Sequence, residues 1–384
     1  MPLTHWACPE GSPTYGETHD PKFCITECPN KCASPFMIAA LTASVQTNHH
    51  RGKYVSATSL SGCKRKLLLE RLVAYADYMK NSFYSYRGTV MHQVVEDASA
   101  IELDGVTLGA LGYLTEWRML VGFCFEHGGF ALPDEVSAFD ESTWDKVNCP
   151  ACKKSRVPHV KREWILLGGT LDGLEPVWRD YDPDTGVLPC ILWDLKTMQE
   201  YAVSYFIKGD PKNKYHPHVK DAHFEQAQVY KYLAERSTPP LALRERGVTR
   251  LELVEANIQA FSMGQFPRTG STYSWKEHWR KPEKTWDIPA IHFMEDAWIE
   301  NYIKVEGYPI YKSLILNEER PPIRPPEGGK ADEHSWECRF CAFHGSKFCP
   351  NPAAEWAALE SGMDPDNAYE AAKGAGNEPN RQGN

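Results

Sequence analysis

Long apolar runs are missing from this chain: no window of its 384 residues approaches the 18 consecutive apolar residues that a membrane-crossing helix needs. Met1 to Ser12 also lacks the basic-then-apolar order of a secretory leader. Both features lead to the expectation of a cytoplasmic protein with no membrane partner. Internal repeats are missing, which sets aside solenoids and propellers. No helicase motif is present either, so any unwinding of a duplex would fall to a partner chain. Positive charge is in short supply, with 42 Lys+Arg against 51 Asp+Glu and a formal charge of -9. That balance argues against non-specific wrapping of nucleic acid by a basic surface, and leaves room for a local basic channel.

What is there suffices for a core. Hydrophobic residues make up 42% of the chain and aromatic ones 12%, which excludes disorder for most of it and suits one large domain or two small ones. The 12 Cys, in a reducing compartment, argue for metal rather than disulfides. They fall in clusters: Cys8, Cys24, Cys28 and Cys32; Cys63; Cys124, Cys149 and Cys152; Cys190; then Cys338, Cys341 and Cys349.

Residues 1–34 are rich in Cys, Pro and Thr without helical or strand periodicity, as suits a segment ordered by metal. A domain at 35–350 follows. Apolar spacing predicts helices over Leu60 to Lys80, Arg87 to Ala100, His223 to Arg236 and Phe293 to Leu316. Residues 104–160 read as an insertion of Gly-rich turns, acidic residues and paired thiols. Trp164 to Leu171 and Pro189 to Thr197 read as strands joined in a hairpin by the turn chemistry of Tyr181 to Gly186, and Leu251 to Ser262 as a further strand. The Pro-rich stretch at 320–329 reads as a linker, and 351–384 as a disordered tail.

In the strand ILWDLK, Asp194 and Lys196 lie two residues apart and share a face, while Ile191, Trp193 and Leu195 face the other way. Asp172 is placed at the end of the preceding strand, within GTLDG, where its carboxylate can meet Asp194 across the hairpin end. Two converging carboxylates bind a hard divalent cation through oxygen. The Lys196 ammonium beside them could orient a metal-bound water or neutralise charge on a phosphate, which is phosphodiester hydrolysis chemistry. His92, with Glu96 one turn later, offers an imidazole from another direction. Gln226 and Tyr230 are four apart on a helix, so both can reach one ligand; Glu96 is read as solvated or outside the inner ligands.

In order along Leu60 to Pro350, Cys63 ahead of a basic helix, Gly88 to His92 (G-x-x-x-H), Gly169 to Asp172 (G-x-x-D), Asp194 to Lys196 (D-x-K), Gln226 to Tyr230 (Q-x-x-x-Y) and a closing Cys triplet resemble a family. It is the PD-(D/E)xK nuclease superfamily, in its RecB-like branch that includes the CRISPR-associated iron-sulfur exonuclease. No single motif is specific; six in this order are. The resemblance implies an α/β (α+β) restriction-endonuclease-like core, a mixed central sheet flanked by helices. It implies Mg2+ or Mn2+ held by His92, Asp172 and Asp194, Lys196 as the catalytic lysine, and Gln226 with Tyr230 positioning substrate and lysine. It also implies a 4Fe-4S cluster on Cys63, Cys338, Cys341 and Cys349 that clasps the chain ends. The residue two before the lysine is Asp where Glu is common in the family, and the gap from Cys341 to Cys349 is longer than its usual spacing.

Read by spacing alone, Cys338-x2-Cys341-x7-Cys349 needs a fourth ligand, and either an iron-sulfur cluster or a zinc completed by Cys63 or His344 satisfies it. Cys124-x2-His127 and Cys149-x2-Cys152 make a zinc-ribbon pattern in the insertion. Cys8, Cys24, Cys28 and Cys32 offer a further four-thiolate zinc site of unusual spacing, with His5 and His19 as substitutes, and Cys190 reads as a small buried hydrophobe. Arg268, Trp275, Lys276, Trp279, Arg280 and Lys281 mix charges that neutralise phosphates with rings that stack on bases, as single-strand binders do, and Arg65 and Lys66 could line the same path.

The expectation is a metal-dependent deoxyribonuclease, an exonuclease on single-stranded DNA or DNA ends, working with a helicase or a recombination or CRISPR-adaptation protein. Two other classes stay open: a non-catalytic nucleic-acid-binding or assembly protein scaffolded by its metal sites, and a redox-responsive regulator.

Overall fold

The computed structural model describes residues 5–8, 14, 16–28, 42, 54–72, 76–78, 93, 97, 102–103, 106–133, 136, 147, 149–155, 164–199, 209–263, 291–313, 323, 338, 341, 343–344 and 346–375. Along the chain run β1 (His5–Ala7), β2 (Thr18–His19), α1 (Pro21–Thr26), β3 (Val55–Ser56), α2 (Ala57–Ser61), α3 (Lys64–Leu72) and β4 (Ala76–Tyr78). They are followed by β5 (Leu114–Cys124), β6 (Gly128–Phe130), α4 (Pro150–Ser155), β7 (Trp164–Pro176) and β8 (Val187–Gln199). Then come α5 (Asp221–Arg236), β9 (Arg250–Met263), α6 (Asp296–Tyr311), α7 (Pro352–Glu360) and α8 (Pro365–Gly374). The chain divides into two compact units, one of residues 54–61 and 87–304, the other of 1–53, 62–86 and 305–384.

The first of these units is a mixed sheet in the order β9-β8-β7-β5-β6, with β3 pairing β7 off that path. β7 is antiparallel to β8 and to β5, whereas β8 and β9 are parallel. A parallel pair needs a crossover, and α5 supplies it, packing across β5, β7 and β9. The core is the inner face of this sheet against α5: Val121, Phe123, Leu167, Leu171, Val229, Tyr232 and Leu233 are all buried. The β7–β8 connection turns on Asp182, which accepts from Asp184 N (3.0 Å) and Thr185 Oγ1 (2.6 Å). Gly186 closes it at φ +70°, where a Cβ would come within 2.6 Å of Thr249 Oγ1.

The other unit holds a small sheet in the order β2-β1-β4 and the helices α1, α3, α7 and α8. Arg65 on α3 is buried and makes a two-pronged ion pair with Glu355 on α7, at 2.6 and 2.7 Å. α8 is capped by Asp364, whose carboxylate accepts from Asp366 N and Asn367 N, with Pro365 at its first position.

The hairpin, the α5 helix and the β9 strand lie where apolar patterning places them. Several expectations need correction. The helix expected over 60–80 is shorter, and 76–78 form a strand instead, because β1 offers it a parallel edge. Residues 114–124, read as part of an insertion, form a strand paired along its length with β7 and thus belong to the sheet. The stretch after Pro350, read as disordered from its Ala and Gly content, carries α7 and α8; the Asn351 and Asp364 caps and the buried Tyr369 order it. Most of the helix expected over 87–100 and the linker at 320–329 lie outside the described residues.

Candidate active site and thiol centres

Asp194 and Lys196 share a face of β8, as the two-residue period of a strand requires, and Lys196 Nζ donates to Asp194 Oδ1 at 2.8 Å. Asp172 is not at a strand end: β7 continues four residues beyond it, to Pro176. Its position follows from the register, since Trp193 pairs with Gly173 and the next step along the hairpin brings Asp194 opposite Asp172. The Asp172 Oδ2 accepts from Leu195 N at 2.7 Å, which fixes the carboxylate against the neighbouring strand. Where β5 passes Asp172, Glu116 takes a left-handed φ of 48°, a local strain beside the carboxylate pair.

Both carboxylates are buried, Asp172 to 7% and Asp194 to 2% exposure. Burial pushes the Asp194 carboxyl up to about 6, against the pull of Lys196 and with a further push from Asp172. Asp194 Oδ2 is buried without a hydrogen-bond partner. A carboxylate oxygen left dry and unpaired beside a second carboxylate is costly unless a cation is bound there, so the pair fits a divalent metal.

α5 brings the next two residues. Gln226 and Tyr230 are one turn apart, and Gln226 Nε2 donates to Tyr230 Oη at 2.8 Å and to Thr58 Oγ1 on α2 at 3.0 Å. Burial first, then the charges of Asp194 and Asp172, push the Tyr230 phenol well above its ordinary range. Gly169 makes room for that ring. Asp172, Asp194, Lys196, Gln226 and Tyr230 are therefore gathered by β7, β8 and α5, while His92 and Glu96 lie outside the described residues. So do Arg268, Trp275, Lys276, Trp279, Arg280 and Lys281.

One residue of this neighbourhood escaped the sequence reading. His223 lies on α5, three residues before Gln226 and seven before Tyr230, hence on the same helix face. The i, i+3, i+7 spacing was visible in HFEQAQVY and would have found it.

A second centre is formed by Cys124, His127, Cys149 and Cys152, whose ligand atoms all lie within 4.8 Å of one another. The Sγ of Cys124 is 3.6 Å from His127 Nδ1 and 3.6 Å from Cys152 Sγ; Cys149 and Cys152 are 3.8 and 3.2 Å from the same Nδ1. A tetrahedral ion with bonds of about 2.3 Å to sulfur sets ligands about 3.8 Å apart. The group could therefore hold a metal ion. Cys124 ends β5, His127 sits in the turn to β6, and Cys149 and Cys152 flank the start of α4. Burial, and hydrogen bonds from the neighbouring thiols, push Cys152 up to about 12. Val147, Trp164 and Leu166 pack around the thiols.

In the other unit, Cys63, Cys338, Cys341 and Cys349 line one pocket together with Ile323 and Phe343. Burial pushes Cys349 up to about 12, against the Arg65 charge. Arg65, which could have lined a DNA path, is 3% exposed and paired with Glu355. Lys66 keeps a partly exposed ammonium 3.7 Å from Glu70. Of the N-terminal thiols, Cys8 and Cys28 are buried, Cys24 is half-buried and Cys32 lies outside the described residues. Cys190 is a fully buried core thiol that burial pushes up to about 12.

No protein-family model matches the chain. No curated protein matches it either. Among solved structures it is similar to the one titled "Crystal structure of SSO0001", at 13% identity and a TM-score of 0.35, over 79% of this chain and 92% of that one. No helix among the described residues is long and apolar enough to cross a membrane.

Proposed function

We propose that the chain is a metal-dependent DNA nuclease of the PD-(D/E)xK type, an exonuclease acting on single-stranded DNA or DNA ends. The observation that carries this reading is the unpartnered, buried Asp194 Oδ2 beside Asp172, with Lys196 on the same carboxylate. Asp172, Asp194 and His92 would hold Mg2+ or Mn2+, which supplies Lewis acidity and an activated water when bound. Asp172, tied to Leu195 N, and Asp194, tied to Lys196, hold their oxygens in place before any cation arrives. Lys196 Nζ has donors left after its bond to Asp194, and these suit the negative charge that grows on a phosphate in flight. The Gln226–Tyr230 pair, sealed on α5, fixes the wall behind the carboxylates.

In this reading Cys63, Cys338, Cys341 and Cys349 carry a 4Fe-4S cluster, and Cys124, His127, Cys149 and Cys152 carry Zn2+, both architectural. Three thiolates and an imidazole suit the borderline softness of zinc, and a buried four-ligand shell leaves no position open for substrate.

The test is a cleavage time course on end-labelled single- and double-stranded DNA with Mg2+ or Mn2+, using anaerobically purified parent and Lys196→Ala proteins. Metal-dependent loss of label in the parent alone supports the reading. Equal rates in the two proteins overturn it. If neither cuts while both bind DNA, the chain is a nucleic-acid-binding scaffold.

A further inference from the structure

We infer that His223 is a phosphate-contacting residue of this site, its Nδ1 donating to a non-bridging oxygen of the nucleic-acid backbone. The inference rests on the nuclease reading above and names a contact which that reading lacks. His223 belongs to the first turn of α5, a 16-residue helix, on the face that carries Gln226 and Tyr230. Its Nδ1 is buried and has no hydrogen-bond partner. A neutral imidazole nitrogen buried without a partner is unfavourable, and a bound acceptor would relieve that cost.

The surroundings indicate which ligand does so. Burial, with the Lys196 and Lys220 charges, pulls the imidazole down to about 3, so the ring stays neutral while facing two ammonium groups. Lys196 is the ammonium bonded to Asp194, so one of the charges acting on His223 belongs to the carboxylate site itself. Two lysines and the positive end of a helix dipole disfavour a cation at this nitrogen and favour an anion. A phosphodiester presents acceptors only, and the Nδ1–H tautomer of a neutral histidine is a donor. Unlike a third lysine, it adds no charge that would compete with the metal carboxylates for Lys196.

The probes are inorganic phosphate and an end-labelled oligonucleotide, applied to parent, His223→Leu and His223→Asn proteins, the amide of Asn standing in for the Nδ1 donor. Phosphate is expected to raise the Tm of the parent and of His223→Asn, and to leave that of His223→Leu unmoved. With Mn2+, His223→Leu is expected to lose about 10- to 100-fold in kcat/KM, mostly through KM, while His223→Asn recovers to within about threefold. The metal-free, phosphate-free Tm of His223→Leu is expected to match or exceed that of the parent, because an unpaired polar atom has been replaced by carbon. Equal phosphate shifts in parent and His223→Leu, unchanged cleavage by His223→Leu, or a collapse of Tm in both variants each overturn the inference. A parent protein that cuts nothing yet shows the His223-dependent phosphate shift overturns the nuclease reading and leaves the anion contact standing.

Discussion

Gly169 on β7 and the ring of Tyr230 on α5 fit only because one of them has no side chain: a Cβ at Gly169 would lie 2.7 Å from Tyr230 Cε1. Both ends of the contact are fixed, the glycine by its place in the β5–β7 ladder opposite Met119 and the ring by the Gln226 hydrogen bond. Gly169→Ala should therefore destabilise the protein by about 1–3 kcal/mol, the usual range for overpacking a buried contact, and, on the proposed nuclease reading, slow cleavage by moving Tyr230. Adding Tyr230→Ala should restore part of the stability, since the two changes share one contact. Denaturant unfolding of the single and double variants checks this, and additive losses would show that the two residues do not crowd each other.

Asp194 gives the metal-free protein a pH dependence of definite sign. Its folded-state pKa stands at about 6, above the ordinary carboxyl value of 3.8, so the folded form binds this proton more tightly than the unfolded chain does. On account of this group, stability is greatest below pH 4 and declines as the pH rises towards 6. Asp194→Asn should flatten that part of the profile and raise the metal-free Tm at pH 7 by a few degrees. Thermal unfolding of parent and variant in EDTA between pH 4 and 7 reads the difference. Parallel profiles would mean that Asp194 is ionised in the folded state at no cost.

The Cys124, His127, Cys149 and Cys152 centre should hold one zinc per chain by elemental analysis of the purified protein. Cys149→Ser should abolish that zinc and lower Tm by 5 °C or more, since structural zinc contributes directly to folding. Iron content should be unaffected if the proposed cluster is present, because Cys63, Cys338, Cys341 and Cys349 belong to the other compact unit. Full zinc occupancy in Cys149→Ser would exclude this ligand set.

The Arg65–Glu355 pair is nearly sealed from water, with side-chain exposures of 4% and 1%. Removing one partner strands a buried charge, so Arg65→Met or Glu355→Leu alone should cost about 3–5 kcal/mol. The double change should cost far less. An equal loss in the single and double variants, measured by chemical denaturation, would show that the pair is not coupled.

The hairpin, its turn and the shared face of Asp194 and Lys196 were legible because they follow from local rules: a two-residue period, and an Asp and a Gly at the positions a tight turn demands. The grouping of Cys124, His127, Cys149 and Cys152 as possible metal ligands was legible for the same reason, since two ligands two residues apart are brought together by a short loop. Asp172 was placed at a strand end, whereas its site is set by cross-strand register, which no local pattern displays. Arg65 looked like a surface cation because its partner, Glu355, lies 290 residues away in sequence. The helices after Pro350 were hidden by their Ala-rich composition, as their order comes from caps and from burial of Ala368, Tyr369 and Ala372 on one face of α8.

The Cys124–His127 knuckle closes one end of a ladder that carries a carboxylate farther along it. Trp164, opposite Cys124, and Asp172 are eight residues apart on β7, about 26 Å of extended chain. A strand that slips by one residue turns every side chain to the wrong side of its sheet. An ion gripping Cys124 and the start of α4 would act as the zero mark of a ruler, and the reading at Asp172 would be set from there. Metal loss at the knuckle would then be felt first as misalignment of a distant carboxylate, in a chain whose secondary structure stays intact.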